Sequence, residues 1–430
     1  MSNKKILFSV IFAIAYMCTF AQSSTNSPYT RFGFGDLSDQ VFTSNAAMGG
    51  VGNALRSSRH INPMNPASYT SVDSLSFMFD IGFSMKSSNY EENGIKANAR
   101  NSSFDYLAIQ FRLHPRLGMA IGFTPFSTVG YNFSTTNSIK DEEGNISNTT
   151  ATNRFTGDEG TNYVFAGLGY KILKNLSFGA NIGYLYGNQE YSTTATLSNN
   201  GDYTINYRNL NVKSYKLDLG LQYTQPLDKN NSITLGLTYG LGHKLNSTEV
   251  TGTQVTDGSS YSSTNEKTDY DGYGIPSTYG VGLAYQFKNN LTVCLDYTLQ
   301  EWSKVKLSNV AGMYNNRSKI AAGVEYTPDH IGRNFFKRIS YRAGAYYNSP
   351  YIKIPNDVNG SSFSDGAKEI GVTAGLGFPL SLFQRKTVLS ITGQYVNLSP
   401  SNSNLMSENR FVLKIGLTLN EPWFMKWRVN

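Results

Sequence analysis

The sequence is poor in cysteine, in charge and in long apolar runs, and each shortage removes a class of protein. Of its 430 residues only two are cysteines, Cys18 and Cys294. Cys18 falls in the leader described below, so the mature chain keeps a single thiol and no internal disulfide can hold it together. Charged residues make up only 16% of the chain. Losing Lys4 and Lys5 with the leader takes the formal charge from +7 to +5, spread without blocks, which gives nucleic-acid binding little support. After residue 21 no stretch reaches the roughly 18 apolar residues of a membrane helix. An exported chain of this size without cross-links depends on an extensive backbone hydrogen-bond network.

What is present begins with that leader. Lys4 and Lys5 precede an apolar run from Ile6 to Tyr16, and Thr19-Phe20-Ala21 ends in small residues before Gln22. This pattern predicts a secretory signal peptide over residues 1–21. A lipoprotein starting at Cys18 is the minor alternative, because Tyr16 and Met17 do not suit a lipobox. The rest of the chain is rich in Tyr (29), Phe (25) and Gly (40), yet its mean hydropathy is −0.33. Aromatic, glycine-rich, exported and near-neutral in hydropathy is the profile of an outer-membrane barrel, whose strands are apolar at every second residue.

Period-two alternation predicts fourteen strands, near residues 75–87, 103–114, 116–134, 161–173, 175–192, 213–226, 231–247, 276–288, 290–306, 317–328, 338–348, 368–380, 386–398 and 409–420. In the seventh, Ile233, Leu235, Leu237, Tyr239 and Leu241 form one face, and Thr234, Gly236, Thr238, Gly240 and Gly242 the other. Most of these strands reach eleven residues or more, whereas soluble strands average about six, and a tilted spanning strand needs about 9 to 11. Connections alternate as well. His114-Pro115, Lys174, 228–230, Asn289 and 381–385 are short, while 88–102, 135–160, 193–212, 248–275 and 349–367 are long and polar. Short turns on the periplasmic side and long loops outside is the expected arrangement. The turn from Pro328 to Lys337 is longer than its periplasmic neighbours and has no explanation at this level.

The fold expected is all-β: a 14-stranded antiparallel transmembrane β-barrel over 75–420, with a short periplasmic tail at 421–430. Residues 22–74 do not read as strand. Their centre, Ala47 to Tyr69, holds Gly49, Gly50 and Gly52 and two Asn-Pro steps, the second in Asn65-Pro66-Ala67. Such a segment needs a place to sit, and the barrel lumen offers one, so it is expected to form an N-terminal hatch. The glycines would allow either close backbone packing or movement.

Six ionisable residues fall in the inward phase: Arg112, Asp218, Asp296, Glu325, Arg342 and Lys414. Their mixed signs favour mutual neutralisation in a polar lumen over a selective field, with a substrate path or a hold on the hatch as the sharper alternative. Pro125 interrupts the third strand. Proline cannot donate to a ladder and is confined to edges and bulges, so the wall opens locally there. A rim bulge is the plain reading and a lateral gap the sharper one. The histidines His60, His114, His243 and His330 are scattered, without metal-ligand spacing, and no metal or other cofactor is expected. Asp269-Tyr270-Asp271-Gly272 could bind calcium weakly, though it reads more simply as mouth-covering loop. No Ser, His and Asp arrangement is legible, so no enzyme is expected. Trp302, Trp423 and Trp427 read as interfacial girdle residues.

Three stretches carry a family likeness. They are Asn65-Pro66-Ala67 after the glycines, the hairpin from Pro276 to Tyr285 continuing through Asp296-Tyr297 to Trp302-Ser303, and Arg342 to Pro350. In their order they resemble the FadL-like outer-membrane family of long-chain fatty-acid and hydrophobic-compound transporters, over essentially the whole mature chain. The resemblance implies a plugged fourteen-strand barrel in the bacterial outer membrane that takes up hydrophobic small molecules passively and releases them through a kinked third strand, where Pro125 lies. Two departures stand out: the loop after that strand lacks paired apolar helices, and Glu421 to Trp427 continues past the last strand. The expected partners are outer-membrane lipid and a fatty-acid-like ligand. The alternative is an accessory subunit of an outer-membrane secretion or assembly complex, with other outer-membrane proteins as partners.

Overall fold

A computed structural model describes residues 24–74, 76–140, 146–198, 202–256, 261–269, 273–305, 313–355, 362–380, 387–402 and 405–421. The expected signal peptide at residues 1–21, the Tyr270-Asp271-Gly272 part of the acidic loop, and Trp423 and Trp427 lie outside them. Fourteen strands close into an antiparallel barrel: β1 Phe77–Glu92, β2 Ile95–His114, β3 Leu117–Thr128, β4 Ile146–Lys171, β5 Leu176–Leu197, β6 Tyr203–Pro226 and β7 Ser232–Gly240. The circuit continues with β8 Thr278–Phe287, β9 Leu291–Gln300, β10 Arg317–Tyr326, β11 Ser340–Asn348, β12 Lys368–Leu380, β13 Thr387–Ser399 and β14 Ser407–Glu421. It closes where Phe77 to Glu91 of β1 pair with Glu421 to Ser407 of β14.

The alternation sets which face each residue takes. Leu235, Leu237, Val281, Leu283, Val293 and Leu295 are exposed on the outer face, and the residues between them point inward. Beyond this apolar band the strands on one side of the barrel do not stop. Much of 135–160, 193–212 and 248–275, expected as loop, is paired strand. Tyr131–Lys140, the outer parts of β4, β5 and β6, and the hairpin Ser247–Thr256 and Tyr261–Asp269 form a six-stranded sheet past the long-loop rim. Their Thr, Tyr and Val content suits a pleated ladder even without an apolar face, which is why hydropathy alone missed them. Other strands are shorter than expected. β7 ends at Gly240, β9 gives way to a 3-10 turn at Trp302–Lys304, and the third strand stops at Thr128 and resumes at Tyr131.

Residues 24–74 thread down the lumen from the long-loop end to the short-turn end. Their only regular pieces are a two-residue strand at Asp36–Leu37, one helical turn at Thr43–Ala46 and 3-10 turns at Pro28–Arg31 and Pro66–Ser71. The wall meets this insert with glycines. A Cβ added at Gly236 would lie within 3.0 Å of the Asn53 carbonyl group, and one at Gly344 within 3.0 Å of Met48 and Gly49 backbone, separations that real Cβ atoms do not show. Gly118, Gly179 and Gly323 stand against backbone of the insert in the same way. The insert answers with Gly49, which combines a φ of +71° with close approach to the carbonyls of Ala345 and Ala322.

Replacing Gly236 or Gly344 by Val is expected to leave the barrel folded while unseating the insert, an overpacking cost of about 1 to 3 kcal/mol. Limited proteolysis from the short-turn side should cut residues 43–71 in the variants and spare them in the wild type; equal protection would refute the close-packing account.

Candidate functional site

Hydrogen bonds fasten the insert around much of its circumference. The inward carboxylate of Asp296 on β9 accepts from the backbone N–H of Gly52 and of Asn53, each at 2.7 Å. Asn65 Nδ2 donates to the Asn53 carbonyl at 2.6 Å, while Asn65 Oδ1 accepts from Ala67 N and caps the turn that Pro66 begins. Asn62 Nδ2 donates to the carbonyls of Gly52 and Leu55, so Asn62, Asn65 and Asp296 together fix the glycine turn. From the wall, Thr373 bridges Gly49 N and the Ala47 carbonyl, Thr392 donates to the Thr43 carbonyl, and Asn181 joins the Tyr69 hydroxyl to the Pro63 carbonyl. Sequence reading missed these threonines and Asn181, because neutral inward residues of a polar lumen do not stand out by type.

The six inward charges therefore separate by place. Asp296 holds the insert. Arg342 donates to Glu325 on the neighbouring strand and, through Nη2, to His60 of the insert at 2.8 Å. Asp218 pairs with Lys216 and accepts from the Tyr163 hydroxyl. Lys414 lies 3.7 Å from Asp105. Arg112 sits at the short-turn rim and donates to the carbonyls of His114 and Pro115, away from the insert. The other histidines are apart: His114 accepts from Arg116 N in its turn, His243 stacks on Tyr215, and His330 contacts Arg59.

Above the glycine turn, acidic residues of the insert meet basic residues of the wall. Asp39 accepts from Arg317 at 3.0 Å and Lys319 at 2.6 Å, and Asp36 from Lys86 and Arg410, each at 3.2 Å. Burial by itself would raise the Asp39 carboxyl, but the Lys319 and Arg317 charges outweigh it and hold the group well below the usual carboxylate range. Higher still, Phe34 packs on Phe126, Tyr273 and Trp302, and Trp302 packs on Tyr351. Trp302 is 1% exposed, so it is a core residue under the mouth rather than the girdle residue expected. Its position just past the end of β9 turns it inward.

The wall parts beside Pro125. β2 and β3 are paired from Leu107↔Phe123 down to the short turn, and no ladder joins them above that point among the described residues. Two bulges mark the parting: Asp105 is the extra residue in β2, opposite Gly82 and Phe83, and Phe126 the extra residue in β3. Past it Asp36 and Leu37 of the insert pair with Thr128 and Ser127, taking the edge that β2 has left. The Thr124 hydroxyl reaches the Asp105 carbonyl at 3.2 Å across the gap. The bulge expected at Pro125 is present, and the ladder between β2 and β3 ends beside it.

A cavity of about 1080 Å³ lies beside the upper part of the insert, above the glycine turn, and extends into this parting. Its inner lining includes the ion-paired Asp36, Asp39, Lys86, Lys319 and Arg410, and its other end Pro125 with Phe83, Met85 and Phe104 of the outer face. Phe83, Phe104 and Phe123 form an aromatic lip, with ring centroids 5.4 and 5.7 Å apart. The volume matches that of small-molecule sites.

The sequence model of the BamG family matches residues 1–430. The chain belongs to the BamG family. That name differs from the FadL-like one its motifs suggest, whereas the fold of this BamG-family chain is FadL-like. A Pseudomonas aeruginosa FadL homologue matches with a TM-score of 0.60 at 12% identity, covering 90% of this chain and 99% of its own. The toluene transporter TbuX of Ralstonia pickettii matches with a TM-score of 0.57 at 14% identity, and TodX of P. putida with 0.55 at 13%, each covering 88% of this chain and 97% of the other. No curated protein matches the chain. A large barrel of this fold implies the outer membrane of a Gram-negative bacterium.

Replacing Asp296 by Ala would strand two buried N–H groups, at a cost of about 2 to 3 kcal/mol. In planar bilayers the wild type is expected to be silent and the variant to show openings; equal silence would show that Asp296 is not needed to hold the insert.

Proposed function

We propose that the barrel lets small hydrophobic or amphipathic molecules pass from the lumen sideways into the membrane through the parting of β2 and β3, with residues 22–74 as a hatch closing the periplasmic end. The observation that carries this reading is the cavity reaching from the ion-paired lumen to outward-facing Phe83, Met85 and Phe104 beside Pro125. A solute leaving there crosses between bulged strands and an aromatic lip without displacing the fastened insert. Transfer along such a path is downhill for apolar surface, at about 25 cal/mol per Å² removed from water, and needs no energy input. The lining favours a molecule with one polar end. A fatty-acid carboxylate would meet Lys414, whose 3.7 Å separation from Asp105 is loose for an ion pair, while its chain lay along the phenylalanines. The solved relatives of the same fold, named as a monoaromatic hydrocarbon channel and toluene transporters, are consistent with this class of cargo.

A separate observation favours the second reading, an accessory subunit of a larger outer-membrane complex. The six-stranded outer sheet ends on two strands, Tyr131–Lys140 and Tyr261–Asp269, each paired on one side only among the described residues. Open edges accept strands from partners.

Pro125→Val restores a backbone donor at the parting. Uptake of labelled long-chain fatty acid by vesicles holding the variant is expected to fall several-fold against wild type, with the barrel equally folded. Unchanged uptake would remove the lateral route, and stable co-purification with another barrel, lost on deleting 247–269, would support the second reading instead.

A further inference from the structure

The turn from Thr327 to Ile339, between β10 and β11, lies at the same end as the short turns and differs from them in length and chemistry. It is a built unit. Asp329 Oδ1 accepts from Ile331 N at 3.0 Å and Gly332 N at 2.9 Å, Asp329 N donates to the Lys337 carbonyl at 2.9 Å, and Asn334 caps the helical turn Phe335–Arg338 through Phe336 N. The Tyr341 hydroxyl holds the Phe336 carbonyl, and Asn290 of the neighbouring turn holds the Pro328 carbonyl at 3.0 Å. Such order is usually accompanied by burial, yet Ile331 is 94% exposed and Phe336 70%. Phe335 stands edge-on to Phe336 and is also exposed.

Beside these apolar groups stand three cations, Arg333, Lys337 and Arg338. None makes an ion pair among the described residues, and the one acid of the turn, Asp329, is occupied by its own backbone. Arg338 packs over the Phe335 ring, and its buried Nε has no hydrogen-bond partner. Directly above the turn, Tyr326 and Tyr341 are exposed on the outer face at the ends of β10 and β11, in the place of an interfacial girdle. Exposed aromatic and aliphatic side chains and unpaired cations on one turn, with girdle tyrosines at its base, match the chemistry of a membrane interface. Apolar groups enter the acyl boundary there, and basic groups meet phosphate oxygens.

We propose that the 327–339 turn is a foot that binds a phospholipid of the periplasmic leaflet. Ile331, Phe335 and Phe336 lie among its upper acyl chains, and Arg333, Lys337 and Arg338 meet its phosphate. The foot also touches the insert. Arg59 contacts His330 Nδ1 at 2.6 Å, and the other ring nitrogen of His330 meets the Asn289 carbonyl, so a lipid seated here would steady a contact of the hatch.

The test uses the full chain in its own outer membrane with Phe336→p-benzoylphenylalanine, irradiated and analysed by intact mass. The expected product is the barrel plus the mass of one phospholipid; a protein adduct, or no lipid adduct, overturns the proposal in favour of a protein partner or of open solvent. A second arm compares wild type with the triple variant R333Q, K337Q and R338Q, both checked for heat-modifiable gel mobility. Each is reconstituted with dioleoylphosphatidylglycerol, released into mild detergent and weighed by native mass spectrometry. Wild type should retain the lipid several-fold more than the variant, and excess free glycerol phosphate should not displace it. Equal retention, or displacement by free glycerol phosphate, overturns the membrane-lipid site.

Discussion

Backbone laid directly on backbone is the constraint from which the rest of this structure follows. Around the lumen the strands offer glycines where the insert passes, so main chain of residues 43–70 approaches main chain of the wall with no side chain between. Two things result. The insert's polar groups come within reach of the wall's threonines, asparagines and Asp296, which satisfy them in a site water cannot easily enter. The lumen is also filled at that level, and the cavity lies above it, on the side of Asp36 and Asp39.

The upper lumen obeys a different rule. Here charge meets charge, Asp36 and Asp39 against Lys86, Arg317, Lys319 and Arg410, and side chains stand far enough apart to leave a cavity. The same N-terminal segment that supplies these carboxylates supplies the two residues that pair with β3 beyond Pro125. The insert is thus part of the wall as well as its filling, and the parting of β2 and β3 is shaped by it. Any solute moving through the parting would pass residues 36 and 37 of the insert while the glycine-packed portion below stayed where it is.

Much of this was readable beforehand, and the failures share a cause. Strand number, facing and the position of Pro125 follow from alternation, because a pleated strand sends successive side chains to opposite faces whatever surrounds it. The long outer extensions of β4, β5 and β6 were hidden because a strand in water on both faces shows no hydrophobic period. Trp302 was misplaced because its direction depends on where β9 ends, a matter of one or two residues. Arg112 and Asp296 share an inward phase, yet one caps a turn and the other grips the insert, since phase gives the face and not the height or the neighbour. His60, unremarkable in sequence, meets Arg342, a residue 282 positions away.

By itself the sequence determined the class of the protein: an all-β chain with fourteen spanning strands, a lumen of small and polar residues and a non-strand segment to occupy it. Those properties depend on local periodicity and composition, which act within a few residues. Only the tertiary structure decided that Gly49, Gly50 and Gly52 serve a tightly packed turn, that a bulge flanks the parting on each side, and that the cations of the 327–339 turn stand beside exposed phenylalanines. Each of these is a meeting of groups distant in sequence or set by a turn's exact path. Its energy comes from distances of a few ångströms that no one-dimensional pattern records.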